Sequence, residues 1–169
     1  MTMNRRQFLK VSLASGAVSA INFTILGQAL ASEAYFSPNP FLTIYADGTI
    51  KYFTPRADMG QGSATGLRLI VAEELGVHPD ELIVETKSPE NGFWVGTGGS
   101  SGTSSVYGRH RAVFATVRKV LIDAASKHLG VPVDQCHIKN KYIYCNNNRT
   151  SVAIGDLVAI ARQLKLAEA

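Results

Sequence analysis

From Ser88 to Ser105 the chain runs for eighteen residues without hydrophobic periodicity, and its second half, Gly98-Gly99-Ser100-Ser101-Gly102-Thr103-Ser104-Ser105, is almost wholly glycine and serine. Such a stretch buries little apolar surface and favours neither helix nor strand, so it divides the chain into two structured blocks that must pack around it. Long connections of this kind in a compact domain are usually binding loops or lids. In the first block, Phe41 to Ala46 and Thr49 to Thr54 alternate about Asp47-Gly48, which predicts a β-hairpin with a two-residue turn. Pro55 to Gly62 reads as a loop. Ala64 to Leu75 follows as a helix with Leu67, Ile70, Val71 and Leu75 on one face and Gly76 at its end. Leu82 to Thr86 is a short strand after the Pro79-Asp80 turn. In the second block, Val106 to Leu129 is a helix with Val113, Val117, Val120, Leu121 and Ala124 on one face. A hairpin of His137 to Lys139 with Tyr142 to Tyr144 follows, then a helix from Ile154 to Leu164. The expected class is α+β: β-hairpin, helix, strand, long Gly/Ser loop, helix, β-hairpin, helix, with no regular βαβ alternation.

The first thirty-one residues belong to another process. Arg5-Arg6-Gln7-Phe8-Leu9-Lys10 precedes a weakly apolar stretch, Val11 to Leu30, that ends in Ala29-Leu30-Ala31. Charged, apolar and small-residue regions in that order describe an export signal. The paired arginines resemble the twin-arginine type, although Asn4 stands where Ser or Thr is usual. An uncleaved membrane anchor is the alternative, since the stretch has about the 20 residues a span needs. Ser12, Ser15, Gly16, Ser19, Asn22, Thr24, Gly27 and Gln28 make it weakly hydrophobic for that task. The expectation is a signal over 1–31, a mature portion over 32–169 and a periplasmic location. The twin-arginine route implies a chain folded around a cofactor before export.

Charge excludes one broad class. The whole sequence carries 17 Lys plus Arg, 13 Asp plus Glu and a net +4. Arg5, Arg6 and Lys10 lie in the first thirty-one residues, where no acid stands, so the remainder is close to neutral. A near-neutral domain has little electrostatic reason to bind nucleic acid. His78, His110, His128 and His137 have no metal-ligand spacing, and two cysteines make no zinc site.

Glycine motifs carry the chemical signal. Met59-Gly60-Gln61-Gly62 opens a helix, yet Thr54 and Gly60 are too far apart for the tight turn of a dinucleotide fingerprint. Gly98-Gly99-Ser100-Ser101-Gly102 matches the serine-hydrolase elbow, with Asp123 and His128 or Asp134 and His137 downstream, but no large parallel sheet is available to carry it. Together, Met59-Gly60-Gln61-Gly62, Ile70-Val71-Ala72-Glu73-Glu74-Leu75 and Thr97-Gly98-Gly99-Ser100 resemble the molybdopterin-binding large subunit of the xanthine dehydrogenase and aldehyde oxidase family. The nearest branch is the isoquinoline 1-oxidoreductase beta subunit and exported aldehyde dehydrogenase type. Leu42 to Ile50 resembles that branch's opening hairpin, and Leu129-Gly130-Val131-Pro132 with Cys136 the approach to its second. The likeness covers nearly all of 39–164.

That resemblance implies a molybdopterin cofactor, in its cytosine dinucleotide form, and oxidation of an aldehyde or N-heteroaromatic substrate with water. Gln61 would donate its carboxamide N–H to the metal's oxo ligand without bringing charge into a dry site. Gly60 and Gly62 would let the backbone approach the cofactor, and Thr97, Gly98, Gly99, Ser100 and Ser101 would offer N–H groups and hydroxyls to its oxygens. The family's glutamate base stands in a glycine-rich segment that nothing here resembles, so the expectation is an N-terminal portion, or fragment, of such a subunit with no base assigned. A truncated, non-catalytic exported binding domain is the alternative. Glu73 and Glu74 read as a solvated helix face, and Arg109, Arg111, Arg118 and Lys119 as a solvated or subunit-facing edge. The resemblance also implies iron–sulfur clusters, and since the cysteine quartets that hold them are absent from this sequence, it implies a separate small 2Fe–2S subunit. Beyond it, a cytochrome c or a membrane carrier would accept electrons.

If Asn140-Lys141 are the central residues of the second hairpin, Lys139 pairs with Tyr142, His137 with Tyr144 and Cys136 with Cys145. The last is then a non-hydrogen-bonded pair with Cα atoms roughly 4.5 Å apart, at the short end of the disulfide range of roughly 4.4 to 6.8 Å. An oxidising periplasm permits a bridge. A chain folded in the reducing cytoplasm must also stand with two free thiols, and the resemblance supplies a reason for Cys136 alone. Both states remain open from sequence.

Overall fold

The computed structural model describes residues 34–86 and 98–168. The expected signal over 1–31 and Thr97 lie outside the described residues. Strands β1 (Tyr35–Asn39), β2 (Leu42–Tyr45), β3 (Ile50–Thr54) and β4 (Leu82–Thr86) form one sheet in the order β1-β2-β3-β4. Strands β5 (Cys136–Lys139), β6 (Tyr142–Cys145) and β7 (Thr150–Ala153) form a second. Helices α1 (Ser63–Leu75), α2 (Ser104–Leu129) and α3 (Val158–Glu168) complete the α+β fold expected from the sequence.

Three details depart from that expectation. β1 and β7 add to the five strands read from periodicity. The first hairpin has a three-residue turn, because Ile44 pairs with Ile50 and the Tyr45 N–H donates to the Thr49 carbonyl at 2.9 Å. A two-residue turn needs positive φ at both centres, and here Gly48 alone supplies it, at +82°. Asp47 instead accepts the Thr49 N–H on Oδ1 at 2.8 Å. Finally, β3 pairs with β4 in parallel, Ile50 beside Leu82 through Thr54 beside Thr86, so β3-α1-β4 is a single βαβ crossover. An antiparallel hairpin strand thus also begins a parallel unit.

Alternation explains the first half of the core. Leu42, Ile44, Ile50 and Tyr52 are 0% exposed and share a face, which meets Leu67, Val71 and Leu75 of α1 and Phe114, Val117 and Leu121 of α2. α2 packs on α1 and α3, and α3 on β1. Among the described residues, no helix is long and apolar enough to cross a membrane.

Two polar side chains sit inside this packing. Glu74, expected on a solvated face, is 3% exposed. Its Oε1 accepts Arg111 Nε at 2.7 Å, and its Oε2 faces Arg118 Nη1 at 3.4 Å. A buried carboxylate requires such partners, so two arginines expected on an open edge fasten α2 to α1. Glu73 is exposed, as expected. His110 is 5% exposed, with Nε2 3.0 Å from Tyr52 Oη and the Phe41 and Phe114 rings tilted against it. Burial holds its pKa below the ordinary value; the Val106 carbonyl pulls the other way, and Arg56's charge adds to burial.

His110 therefore stays neutral in the fold where the unfolded chain takes up a proton. Its contribution is complete above about pH 6.5 and is lost as pH falls through the depressed folded value. His110→Gln retains an acceptor for Tyr52 and cannot titrate. It is expected to flatten the loss of stability on the acid side of pH 6.5, read from denaturant midpoints across pH. An unchanged slope would remove His110 as its source.

Close backbone contacts fix the second sheet. Gly76 ends α1 at φ +63° and its carbonyl accepts the Asn140 N–H at 2.7 Å. Asn140 and Lys141 both have positive φ, +50° and +62°, forming the two-residue turn read from the sequence. The register is as derived, and Cys136 and Cys145 form a disulfide with Cα atoms 4.1 Å apart. Thiol titration of unfolded, unreduced protein is expected to find no reactive thiol from this pair; two would contradict the bond. At the β7–α3 corner, a Cβ on Gly155 would lie 2.5 Å from the Ala46 carbonyl oxygen and 2.9 Å from the Gly48 nitrogen.

Candidate functional site

The two glycine motifs meet. Residues 55–62 carry the chain from β3 to α1, while 98–103 lead into α2, and both helices begin beside the same opening. A cleft of about 520 Å³ is lined by Arg56, Met59, Gln61 and Gly62 from the first segment, Ser63 at the start of α1, and Ser100, Gly102 and Thr103 from the second. Gly60, Gly98, Gly99 and Ser101 are described close by, in the same two segments. Thr97 lies outside the described residues.

Backbone conformation accounts for the paired glycines of the first segment. Gly60 and Gly62 have φ of +96° and +76°, values that cost a residue with a Cβ about 1–2 kcal/mol. A Cβ at either position would meet no atom within 4 Å, so conformation and not crowding demands glycine there. The second segment turns in the same way: Gly99 has φ +66°, and Ser100, a non-glycine residue, has φ +54°.

Asp58, which sequence reasoning missed, organises the first segment. Its Oδ1 accepts the Gly60 N–H at 2.9 Å and its Oδ2 the Ala64 N–H at 2.8 Å. Gly62 has no side chain with which to cap α1, and Asp58 takes that role from four residues upstream. The Ala64 and Gly60 N–H groups hold its carboxyl below the usual range. An Asp six residues before a helix's second residue is a signal only once the loop is known to turn back on itself.

Gln61 is fixed by its own loop. Nε2 donates to the Ala57 carbonyl at 2.9 Å and to Ser63 Oγ at 3.0 Å, while Oε1 accepts the Met59 N–H at 2.6 Å. These partners determine which amide atom is nitrogen. Both donor hydrogens are engaged, so donation to a ligand requires one of the two bonds to be shared or released. Ser63 Oγ is the more replaceable acceptor, because a hydroxyl rotates to serve another partner.

The opposite lip is tied in the same manner. Ser101 Oγ donates to the Gly98 carbonyl at 2.9 Å, and the Ser101 carbonyl accepts Ser104 Oγ at 3.3 Å and the Ser105 N–H at 2.9 Å. α2 has no acid in its first turn, so the positive end of its dipole begins beside the cleft without a counter-charge of its own, whereas the start of α1 is capped by the Asp58 carboxylate. The hydrolase elbow gains no support. His128 lies in the last turn of α2, about 35 Å along the helix from its start, and His137 is on β5.

Cation, hydroxyls, carboxamide and the α2 N-terminus form a donor set, with no carboxylate among the described lining residues. Such a set fits an anionic, oxygen-rich ligand, and the open space beside Gly62 and Gly102 leaves room for it. Among the described residues, no group of three or more His, Cys, Asp or Glu could hold a bare metal ion.

Comparison with known proteins supplies the family. A family model described as a molybdopterin cofactor-binding domain matches residues 6–169. The chain is 29% identical over 171 positions to isoquinoline 1-oxidoreductase subunit beta of Brevundimonas diminuta, covering 93% of this chain and 22% of that protein. It is 27% identical over 167 positions to the membrane-bound aldehyde dehydrogenase (pyrroloquinoline-quinone) of Gluconacetobacter polyoxogenes, covering 94% and 21%. The chain thus spans about a fifth of the length of these curated relatives. Among solved structures, quinoline 2-oxidoreductase from Pseudomonas putida 86 superposes with a TM-score of 0.59 at 21% identity, over 75% of this chain and 16% of that one. A Cu,Mo-CO dehydrogenase does so with a TM-score of 0.52 at 17% identity, over 69% and 15%. These structural likenesses concern the fold.

Proposed function

The chain belongs to the family of molybdopterin cofactor-binding domains, and from that premise we propose that the cleft between 56–63 and 98–103 is its share of the cofactor cradle in a molybdenum hydroxylase. The observation that carries this reading is that Gln61 and Ser100, from motifs far apart in sequence, line one cleft rich in hydrogen-bond donors. When bound, the group supplies a metal centre that takes two electrons from a substrate while water provides the oxygen. Everything else asked of this segment is recognition and orientation.

In this reading Gln61 would turn one Nε2–H from Ser63 to an oxygen of the cofactor, while Ala57 and Met59 hold the amide plane. The loop shaped by Gly60 and Gly62 brings that amide to the cleft. Thr97, Gly98, Gly99, Ser100 and Ser101 would offer N–H groups and hydroxyls to pterin and phosphate oxygens, the Ser101 hydroxyl on release from the Gly98 carbonyl, aided by the start of α2. Glu74 is held by Arg111 and Arg118 and takes no part in proton transfer. The glutamate base is assigned to none of these 169 residues.

We propose further that the cofactor is in its cytosine dinucleotide form and that the substrate is an aldehyde or N-heteroaromatic compound. A small 2Fe–2S subunit would be the partner, with a cytochrome c or membrane carrier beyond it, and the mature chain would reach the periplasm by twin-arginine export. Similarity to an isoquinoline 1-oxidoreductase beta subunit and to an aldehyde dehydrogenase supports the substrate class and the need for a partner subunit. Purified full-length protein is expected to contain close to one molybdenum and one pterin per chain, with CMP released on acid hydrolysis. Protein free of molybdenum and pterin after expression in a cofactor-producing host would overturn the proposal. AMP, GMP or no nucleotide in place of CMP would overturn the dinucleotide assignment alone.

A further inference from the structure

Arg56 is 1% exposed, unusual for a group that burial disfavours so strongly. It stands two residues beyond β3, where its N–H donates to Thr54 Oγ1 at 3.2 Å. From there its side chain crosses to the other lip of the cleft, and Nη2 donates to Ser105 Oγ at 2.8 Å. Ser105 is in turn joined to the Gly/Ser turn, since its N–H donates to the Ser101 carbonyl and Ser101 Oγ reaches the Gly98 carbonyl. A continuous hydrogen-bonded path therefore runs from the end of β3, through Arg56 and Ser105, to Gly98. Gln61 hangs from one end of this path and Ser100 lies within the other.

We propose that Arg56 and Ser105 form a clasp that sets the separation of the two lips, making both of them positioning residues for retention of the cofactor. This rests on the reading of the cleft given above. The planar guanidinium suits the task better than an ammonium, because its donors keep fixed angles and one fork can hold two segments in register. An apolar side chain of similar volume would fill the space without fixing a distance. Burial presses the guanidinium's pKa down, yet arginine remains charged throughout the physiological range.

The test uses the full-length protein with Ser105→Ala, Ser105→Thr, Arg56→Lys and the Ser105→Ala/Arg56→Lys pair. Molybdenum per chain is followed over time after dilution, with the electron paramagnetic resonance of the reduced metal and the melting temperature of cofactor-free protein. Ser105→Ala is expected to lose molybdenum about 10- to 100-fold faster, the range for removing a group that orients a metal site from outside it. The metal that remains should give an altered resonance, while the cofactor-free melting temperature stays at the wild-type value. Arg56→Lys should behave likewise, the pair no worse than either single change, and Ser105→Thr, which keeps the hydroxyl, close to wild type. Wild-type retention and resonance in Ser105→Ala would overturn the clasp. So would strictly additive losses in the pair, or variants whose cofactor-free forms melt early or fail to fold, since the contact would then be a fold element only. Wild-type protein without molybdenum would instead sink the reading of the cleft, and the clasp with it.

Discussion

Gly155→Ala is expected to destabilise the fold by about 3 kcal/mol or more, the upper range for forcing extra atoms into a packed interior. An added Cβ would stand 2.5 Å from the Ala46 carbonyl oxygen, 2.9 Å from the Gly48 nitrogen and 3.1 Å from the Ala46 carbonyl carbon. All three neighbours are backbone, so no side chain can rotate away. They also belong to the first hairpin's turn, where Gly48 is at positive φ and Asp47 is committed to Thr49. Relief therefore requires the β7–α3 corner to withdraw from that turn. The check is a denaturant midpoint for full-length protein, with Gly102→Ala as control, since a Cβ there meets nothing within 4 Å. Equal midpoints for the two variants would show that the corner does not press on the turn.

Gln61→Ala is expected to lower turnover by about 10² to 10³, or roughly 2.7–4 kcal/mol, the usual cost of removing one preorganised donor from a reacting centre. The structure adds a condition to this expectation. The amide also holds Ala57, Met59 and Ser63, so alanine loosens the loop as well as deleting the donor. Rates must therefore be normalised to bound molybdenum, measured with a panel of aldehydes and N-heteroaromatic compounds. Ser63→Ala offers the complementary reading, because it frees a donor of Gln61 without removing it and should leave most of the rate intact. Wild-type turnover per molybdenum in Gln61→Ala would remove the residue from the reaction.

What could be read from the sequence was what local chemistry decides. The second hairpin's register followed from two residues able to take positive φ, and that register set Cys136 opposite Cys145 while leaving open whether they bond. Asp47-Gly48 misled because the same dipeptide serves a two-residue turn and a three-residue turn ending in a left-handed glycine, and a side-chain bond to Thr49 makes the choice. β1 contains Pro38, and β7 is four residues of which two are polar, so neither carries a strong periodic signal. The parallel pairing of β3 with β4 is a long-range event that neither strand's own pattern announces.

The candidate site divides along the same line. Gln61 and the glycine turns were visible as motifs, whereas Asp58, Arg56 and Ser105 act through partners that only folding brings near. Glu74 is the sharpest case. It occupies the stripe of Leu67 and Val71 on α1 and is buried with them, but its polar identity pointed outward, and Arg111 and Arg118 lie 37 and 44 positions further along the chain. His110, likewise, continues the buried row of Val106 and Phe114 on α2.

The βαβ crossover also bears on the order in which the chain assembles. Hairpins bring together residues fewer than a dozen apart and form in roughly 1–10 μs. Joining Ile50 to Leu82 closes a loop of about thirty residues, and that entropy is spent before the parallel contacts return anything. The loop so closed contains 55–62, and its closure seats α1 on the sheet. The hairpins therefore stand early, while the first lip of the cleft takes its place only with the slow, non-local step. Until the crossover closes, the turns have no first lip to stand beside, so the cleft depends on the least local contact in the sheet.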